Sequence, residues 1–293
     1  MVEYDGKNVI IMSCSKCNCN CKHCYISYHG CINPNMLNEM VLKLSNRYTI
    51  MLNGTEPILN IDYLQSYNLN NQDYLLTNGL AIYNNYDLID ELKKNNINRI
   101  SISYHYGIHD DISQISTDII KKTVDLLLTN GFNVRLLCTI SSKNYDKVLE
   151  FCDVCHSMGV NAVKFTNYIR QGNALQLDNS NILNYKELIY FFKELEMARK
   201  KYSKEELLIQ RCGSFGPDIT KYEDLHFKCL AGIDNVVITP SMDVYRCIFL
   251  INDENKIGYY EDGHIWLYEK EIRDDKYCLA KDECNKQFVK RRG

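Results

Sequence analysis

From about residue 7 to 170 the chain alternates short apolar runs with longer stretches of helical period. The apolar runs are NVIIMS (8–13), YTIMLN (48–53), DYLLTN (73–78), RISISY (99–104), NVRLLCTI (133–140) and NAVKFTN (161–167). Each is rich in Ile, Val, Leu and Tyr, as strands buried on both faces are. Between them the pattern predicts helices near 36–46, 61–67, 84–96, 115–130, 144–158 and 184–202. The segment TDIIKKTVDLLLTNG has the fullest helix grammar: Thr117 as the cap, Ile119, Ile120, Val124, Leu127 and Leu128 on one face, and Gly131 at the end. Strands alternating with helices predict an α/β fold with a parallel sheet, and six such strands suit a partial (β/α)6, TIM-like barrel better than a closed eight-fold one. In such sheets chemistry collects at the C-terminal ends of the strands.

After residue 205 the alternation stops. A two-strand unit, NVVITPSMDVYRCIFL (235–250), turns around Pro240–Asp243, and the remainder is short, polar and cysteine-bearing. This change predicts a boundary near 205–225, dividing the chain into 1–205 and 206–293. A tail of that size has too little core to be secure alone, and a bound cluster would staple it.

Composition narrows the function. The 293 residues are 45% hydrophobic and 24% charged, with a net charge of −3, so no strong field for nucleic acid or an acidic membrane is expected. No apolar run approaches the roughly 20 residues of a membrane span. The start, MVEYDGKNVIIMSCSKC, lacks the build of a secretory signal, which predicts a cytoplasmic protein.

Fourteen cysteines change the picture. Five are crowded between 14 and 24, too dense for a disulfide scaffold in a chain this long and better read as soft metal ligands. Six lie between 14 and 31 and four between 229 and 284, which points to two metal centres. Cys17, Cys21 and Cys24 form C-x3-C-x2-C on the loop after the first strand. Three thiolates on an iron–sulfur cubane leave one iron open to a small molecule, by the logic that separates open catalytic zinc sites from closed ones. A zinc site is the alternative, with Cys14, Cys19 or His23 as the fourth ligand; otherwise Cys14, Cys19 and Cys31 are non-ligands. Cys138, Cys152 and Cys155 fall on apolar faces and are expected to be buried. Cys212 is either an incidental thiol or one facing the site. His105, His109, Asp110 and Asp111 follow the fourth strand, as a solvated loop or as the source of a base. Arg170 is an anion ligand or a surface ion-pair partner, and KRRG at the end reads as a solvated tail.

The cysteine loop resembles the signature of the radical S-adenosylmethionine (SAM) superfamily, with His23 in its aromatic position. LNGTEP (52–57) resembles that family's Gly-Gly-Glu-Pro motif, with Asn53 in place of the first Gly, so that Gly54, Thr55, Glu56 and Pro57 carry the match. LLTNG (75–79) with Asn78, SISYH (101–105) with Ser103, and IRQGNA (169–174) stand at later strand ends in the expected order. The resemblance covers about residues 8–175. It implies a [4Fe–4S] cluster whose open iron chelates SAM. It also implies one-electron cleavage of SAM to methionine and a 5′-deoxyadenosyl radical, and hydrogen abstraction from a substrate. Chemistry of that kind belongs to the cofactor, which the protein positions. His23, Gly54, Thr55, Glu56, Pro57, Asn78 and Ser103 would face SAM, and a flavodoxin or ferredoxin would donate the electron.

The tail text CLAGIDNVVITPSMDVYRC resembles the opening of SPASM and twitch domains, and GYYEDGHIW a later segment of them. That implies an auxiliary [4Fe–4S] cluster on Cys229, Cys247, Cys278 and Cys284, one-cluster twitch style, for electron transfer or for structure. The overall expectation is a radical SAM oxidoreductase that oxidises or cross-links a ribosomal peptide or a small molecule. A first strand near residue 8 leaves no room for a preceding peptide-recognition domain, so a peptide would be delivered by a separate protein. The alternative is a non-catalytic zinc or iron–sulfur protein, an interaction module or electron carrier.

Overall fold

The computed structural model describes residues 1–69, 74–216, 218, 220 and 229–269. The chain opens with a short strand, β1 (Val2–Glu3), and then the first barrel strand, β2 (Asn8–Met12). Pro34 and the Asn33 side chain, which accepts from Asn35 N, start helix α1 (Pro34–Ser45). It is followed by β3 (Thr49–Asn53), α2 (Leu64–Leu69), β4 (Leu75–Thr77), α3 (Leu80–Asn84) and α4 (Asp87–Lys94). Next come β5 (Arg99–Ser103), α5 (His109–Ile112), α6 (Thr117–Thr129), β6 (Asn133–Ile140), α7 (Val148–Ser157) and β7 (Ala162–Asn167). A capping box, Asn184 with Glu187, starts α8 (Tyr185–Lys201), which leads to β8 (Leu208–Arg211). The rest is β9 (Asn235–Ile238), β10 (Asp243–Tyr245), β11 (Lys256–Glu261) and β12 (His264–Leu267).

Every strand expected before residue 170 is present. Thr117 is not the cap of α6. Ser116 is, its side chain accepting from Ile119 N at 3.4 Å, because Thr117 is occupied with Asp110, to which both its main-chain N–H and its hydroxyl donate.

β4 to β8 form one parallel sheet in sequence order. β2 and β3 pair in parallel in a second sheet, and no ladder joins β3 to β4. Helices α1, α6 and α7 pack against β3, β6 and β7. Phe151, Phe165, Phe191, Phe192 and Phe215 interlock there at no more than 2% exposure, with Phe191 stacked on Phe215 at 4.2 Å. Cys138, Cys152 and Cys155 are buried, as their apolar faces predict.

The tail does not stand apart. β9 pairs in parallel with β2, from Asn8 against Asn235 to Ile11 against Ile238. β10, β11, β12 and β1 then extend that sheet antiparallel, in the order β1-β12-β11-β10-β9-β2-β3. The expected hairpin at 235–250 is the β9–β10 pair, with its second strand ending at Tyr245.

Candidate active site

The C-terminal end of β2 runs straight into the cysteine loop, and neighbouring strands hold both ends of that loop. Ser13 N donates to Asn53 O at 2.7 Å and Ile32 N to Ser13 O at 2.8 Å, while Cys14 and Cys31, cross-strand neighbours with Cα atoms 4.0 Å apart, are joined as a disulfide. The Cys14 carbonyl accepts from Tyr28 OH at 3.0 Å, Thr55 N at 2.9 Å and Thr55 Oγ1 at 3.2 Å. Thr55 therefore ties the Gly-Thr-Glu-Pro turn to the root of the loop. Gly54 packs closely there, since a Cβ at that position would stand 2.7 Å from Ser13 Oγ and displace it.

Two further strand ends grip the middle of the loop. From beyond β5, Gln114 Oε1 accepts from Asn20 N at 2.6 Å and Ile112 O accepts from Lys22 N at 3.0 Å. From beyond β7, Asn173 Nδ2 donates to Asn20 Oδ1 at 2.6 Å and to Cys21 O at 3.2 Å. Gly172, at φ +57, lies so close that a Cβ would be 2.6 Å from Ile26 O and 2.7 Å from Cys24 O. The IRQGNA segment is thus a backbone clamp on the loop.

Cys17, Cys21 and Cys24 are half-buried free thiols on this held loop. Burial pushes the Cys17 and Cys24 thiols up, while the main-chain N–H of Cys19 points at the first, that of Ile26 points at the second, and both pull them down. Asn78 Nδ2 lies 3.7 Å from Cys17 Sγ, and Cys21 Sγ is 3.9 Å from Ser113 Oγ. Amides aimed at sulfur stabilise thiolate and cluster alike. Among the described residues no three Cys, His, Asp or Glu side chains converge on a single ion. Three half-buried thiols with amide and hydroxyl groups beside them are a donor set that would suit an iron–sulfur cluster.

The other expected SAM-facing residues stand on the loop itself or at the ends of β3, β4 and β5. Glu56 is 2% exposed and accepts from Thr77 Oγ1 at 2.5 Å and Asn78 N at 2.7 Å, bridging β3 and β4 where no ladder joins them. Burial pushes its carboxyl up to about 7 despite both donors. Pro57 starts the short 3-10 turn that follows. Ser103 ends β5 and is half-buried. His23 lies against Ile112 O at 3.3 Å and meets the His105 ring edge-on at 4.2 Å. Burial pushes His23 down to about 4, so it is neutral at pH 7.

His105 and His109 do not belong to a solvated loop. They are 3% and 4% exposed, and burial holds both below the ordinary histidine range. His105 Nδ1 accepts from Thr139 N at 3.1 Å, and His109 Nδ1 from His105 N at 3.2 Å. Asp110 and Asp111 are exposed, but in the short helix α5 and not a loop, and Asp110 accepts from Thr117 N at 2.8 Å. Arg170 is exposed too and donates to Leu175 O at 3.2 Å. Sequence reasoning marked the IRQGNA segment without giving Asn173 a role and passed over Gln114, because the partners of both are distant in the chain.

From the tail, Phe249 packs its ring edge-on against Tyr25 at 5.0 Å, and Ser27 Oγ donates to Ile251 O at 3.5 Å. The Tyr25 phenol, raised chiefly by burial, also feels Tyr28, Cys24, Cys212 and Cys247. Cys212 and Cys247 therefore stand near the cysteine loop, while Cys229 is half-buried ahead of β9. Cys278, Cys284 and the terminal KRRG lie outside the described residues. No helix among the described residues is long and apolar enough to cross a membrane.

No sequence-family model and no curated protein matches the chain. Solved structures do. Streptococcus suis SuiB bound to the precursor peptide SuiA superposes with a TM-score of 0.69 at 14% identity, over 87% of this chain and 63% of SuiB. SuiB bound to S-adenosylmethionine gives 0.67 at 15% identity, over 87% of this chain and 61% of that one. The protein anSMEcpe with AdoMet and the Cp18Cys peptide gives 0.62 at 16% identity, over 87% of this chain and 77% of that one. This chain thus spans less than two thirds of SuiB's length. It has the fold of these radical SAM proteins, and its own cysteine loop stands at the rim of its partial barrel.

Proposed function

We propose that Cys17, Cys21 and Cys24 hold a [4Fe–4S] cluster whose open iron binds SAM, and that the protein is a radical SAM oxidoreductase or maturase. The observation that carries this reading is the clamped loop: three half-buried free thiols, two of them met by main-chain amides, at the C-terminal end of the first barrel strand. The group supplies one-electron reductive cleavage of SAM when bound. Thr55 and Gly54 fix the loop's root, Glu56 and Asn78 line the wall formed by the next two strand ends, and neutral His23 shields the loop from the β5 side. Ser103 and Pro57 complete the rim on which SAM is bound.

The substrate we assign is a peptide, with a small molecule as the other class. SuiB and anSMEcpe have each been captured with a peptide, and this chain shares their fold. In the same reading Cys229, Cys247, Cys278 and Cys284 of the unit 206–293 would hold an auxiliary [4Fe–4S] cluster, which would supply electron transfer or structural support, and a flavodoxin or ferredoxin in the cytoplasm would supply the first electron. In this assignment the seam with 1–205 runs through the β7–β8, β2–β9 and β1–β12 pairings.

Anaerobic reconstitution with iron and sulfide tests the proposal. About eight irons per chain and reductant-dependent 5′-deoxyadenosine are expected, both reduced by Cys24→Ala. Zinc bound without iron, or intact SAM after reduction, would favour the non-catalytic metal protein.

A further inference from the structure

The cysteine loop carries one thiol more than a three-ligand cluster uses. Cys19 lies two residues from both Cys17 and Cys21, is half-buried, and packs against the hydrophobic core instead of turning to solvent. Its sulfur sits beside that of Cys17. One amide nitrogen, Asn78 Nδ2, is 3.7 Å from Cys17 Sγ and 3.7 Å from Cys19 Sγ, and donates to Asn18 Oδ1, between the two cysteines in the chain, at 2.7 Å. Asn78 is itself fixed, with its main-chain N–H on Glu56 at 2.7 Å and its Oδ1 accepting from Leu80 N at 3.0 Å. A rigid amide therefore stands beside both sulfurs. By contrast, Cys21 and Cys24 have separate partners, Ser113 Oγ and the Ile26 N–H.

We infer that Cys17 and Cys19 form a single ligand position served by two thiols, so that Cys19 can hold the iron that Cys17 holds. The inference rests on the cluster reading above. The exchange is balanced without any oxidant: the iron–sulfur bond to one cysteine breaks as the bond to the other forms, and the proton of the incoming thiol passes to the outgoing thiolate. The Asn78 amide serves whichever sulfur is bound, as outer donors to cluster sulfurs do.

The test uses the full chain, reconstituted anaerobically without SAM, and reads iron per chain together with the EPR spectrum of the dithionite-reduced cluster. The variants are Cys17→Ala, Cys19→Ala, the double Cys17→Ala/Cys19→Ala, and Cys24→Ala, with Cys17→Ser as the conservative control for folding. Each single change at 17 or 19 is expected to keep wild-type iron, with EPR spectra that differ from each other because each forces one ligand set. The double variant and Cys24→Ala are expected to fall to the same lower iron content. If Cys17→Ala and Cys17→Ser both fall to the level of Cys24→Ala while Cys19→Ala does not, the shared position is wrong and the cluster reading stands. If wild type takes up no iron, the cluster reading fails and takes this inference with it.

Discussion

Glu56 shows how much one side chain does at this rim. Its carboxyl is buried, spans the β3–β4 gap, and holds its proton up to about pH 7 where the unfolded chain releases it near 4.5. The native state therefore binds more protons between those values, and stability falls as pH rises through that window, by on the order of 3 kcal/mol in total. Thermal midpoints of the cluster-free chain from pH 4.5 to 8 should show this slope in wild type and lose it in Glu56→Gln; an unchanged slope in the variant assigns the titration elsewhere. Asn173 acts on the loop directly through two hydrogen bonds. Asn173→Ala should cost about 1 to 2 kcal/mol and speed the loss of iron to a chelator, and a chelation rate equal to wild type would remove it from the clamp. Residues of this kind were only partly legible. Glu56 and Asn78 stand in recognisable strings, whereas the partners of Asn173 are about 150 residues away, and no local pattern encodes them.

At the scale of elements, periodicity and caps explain most of what forms. Apolar runs bounded by polar residues became strands within one or two residues of the expected ends, because burial on both faces rewards such runs wherever they pair. The α6 cap was misplaced by one residue, since Ser116 and Thr117 are equivalent until Asp110 claims one of them. Ser116→Ala should lower stability by about 1 kcal/mol in chemical denaturation. The segment after β7 acts as a unit. At Gly172 an alanine meets both a left-handed backbone and the Cys24 and Ile26 carbonyls, so Gly172→Ala should destabilise by roughly 1 to 2 kcal/mol and lower iron uptake together. Normal iron uptake in that variant would mean the clamp is dispensable.

Across the described residues, the seven-stranded sheet ties the first strand, β1, to β12 and the first barrel strand, β2, to β9. β2 has β3 on one side and β9 on the other, and β8 completes the parallel sheet beside β7. A chain cut after residue 205 loses β8 and bares the β2 edge along its full length, a template for aggregation. Residues 1–205 alone are expected to be insoluble or to lack a cooperative unfolding transition; a soluble, cooperatively folding fragment would show that the barrel needs no tail. The change of grammar after residue 205 is visible in the sequence, but the pairing of β9 with β2 is not, because more than 200 residues separate strands whose hydrogen bonds are all main-chain.

Local pattern alone determined the α/β alternation, the position of the cysteine loop after the first strand, and the burial of Cys138, Cys152 and Cys155, since each follows from spacing within one element. Only the tertiary structure decided that His105 and His109 are buried, that Cys14 meets Cys31, that Cys19 shares the Asn78 amide with Cys17, and that the tail continues the barrel's sheet. The physical reason is range. Side-chain periodicity acts over a few residues, while these contacts depend on which strand ends the chain brings to one rim, and that is settled by packing of the whole.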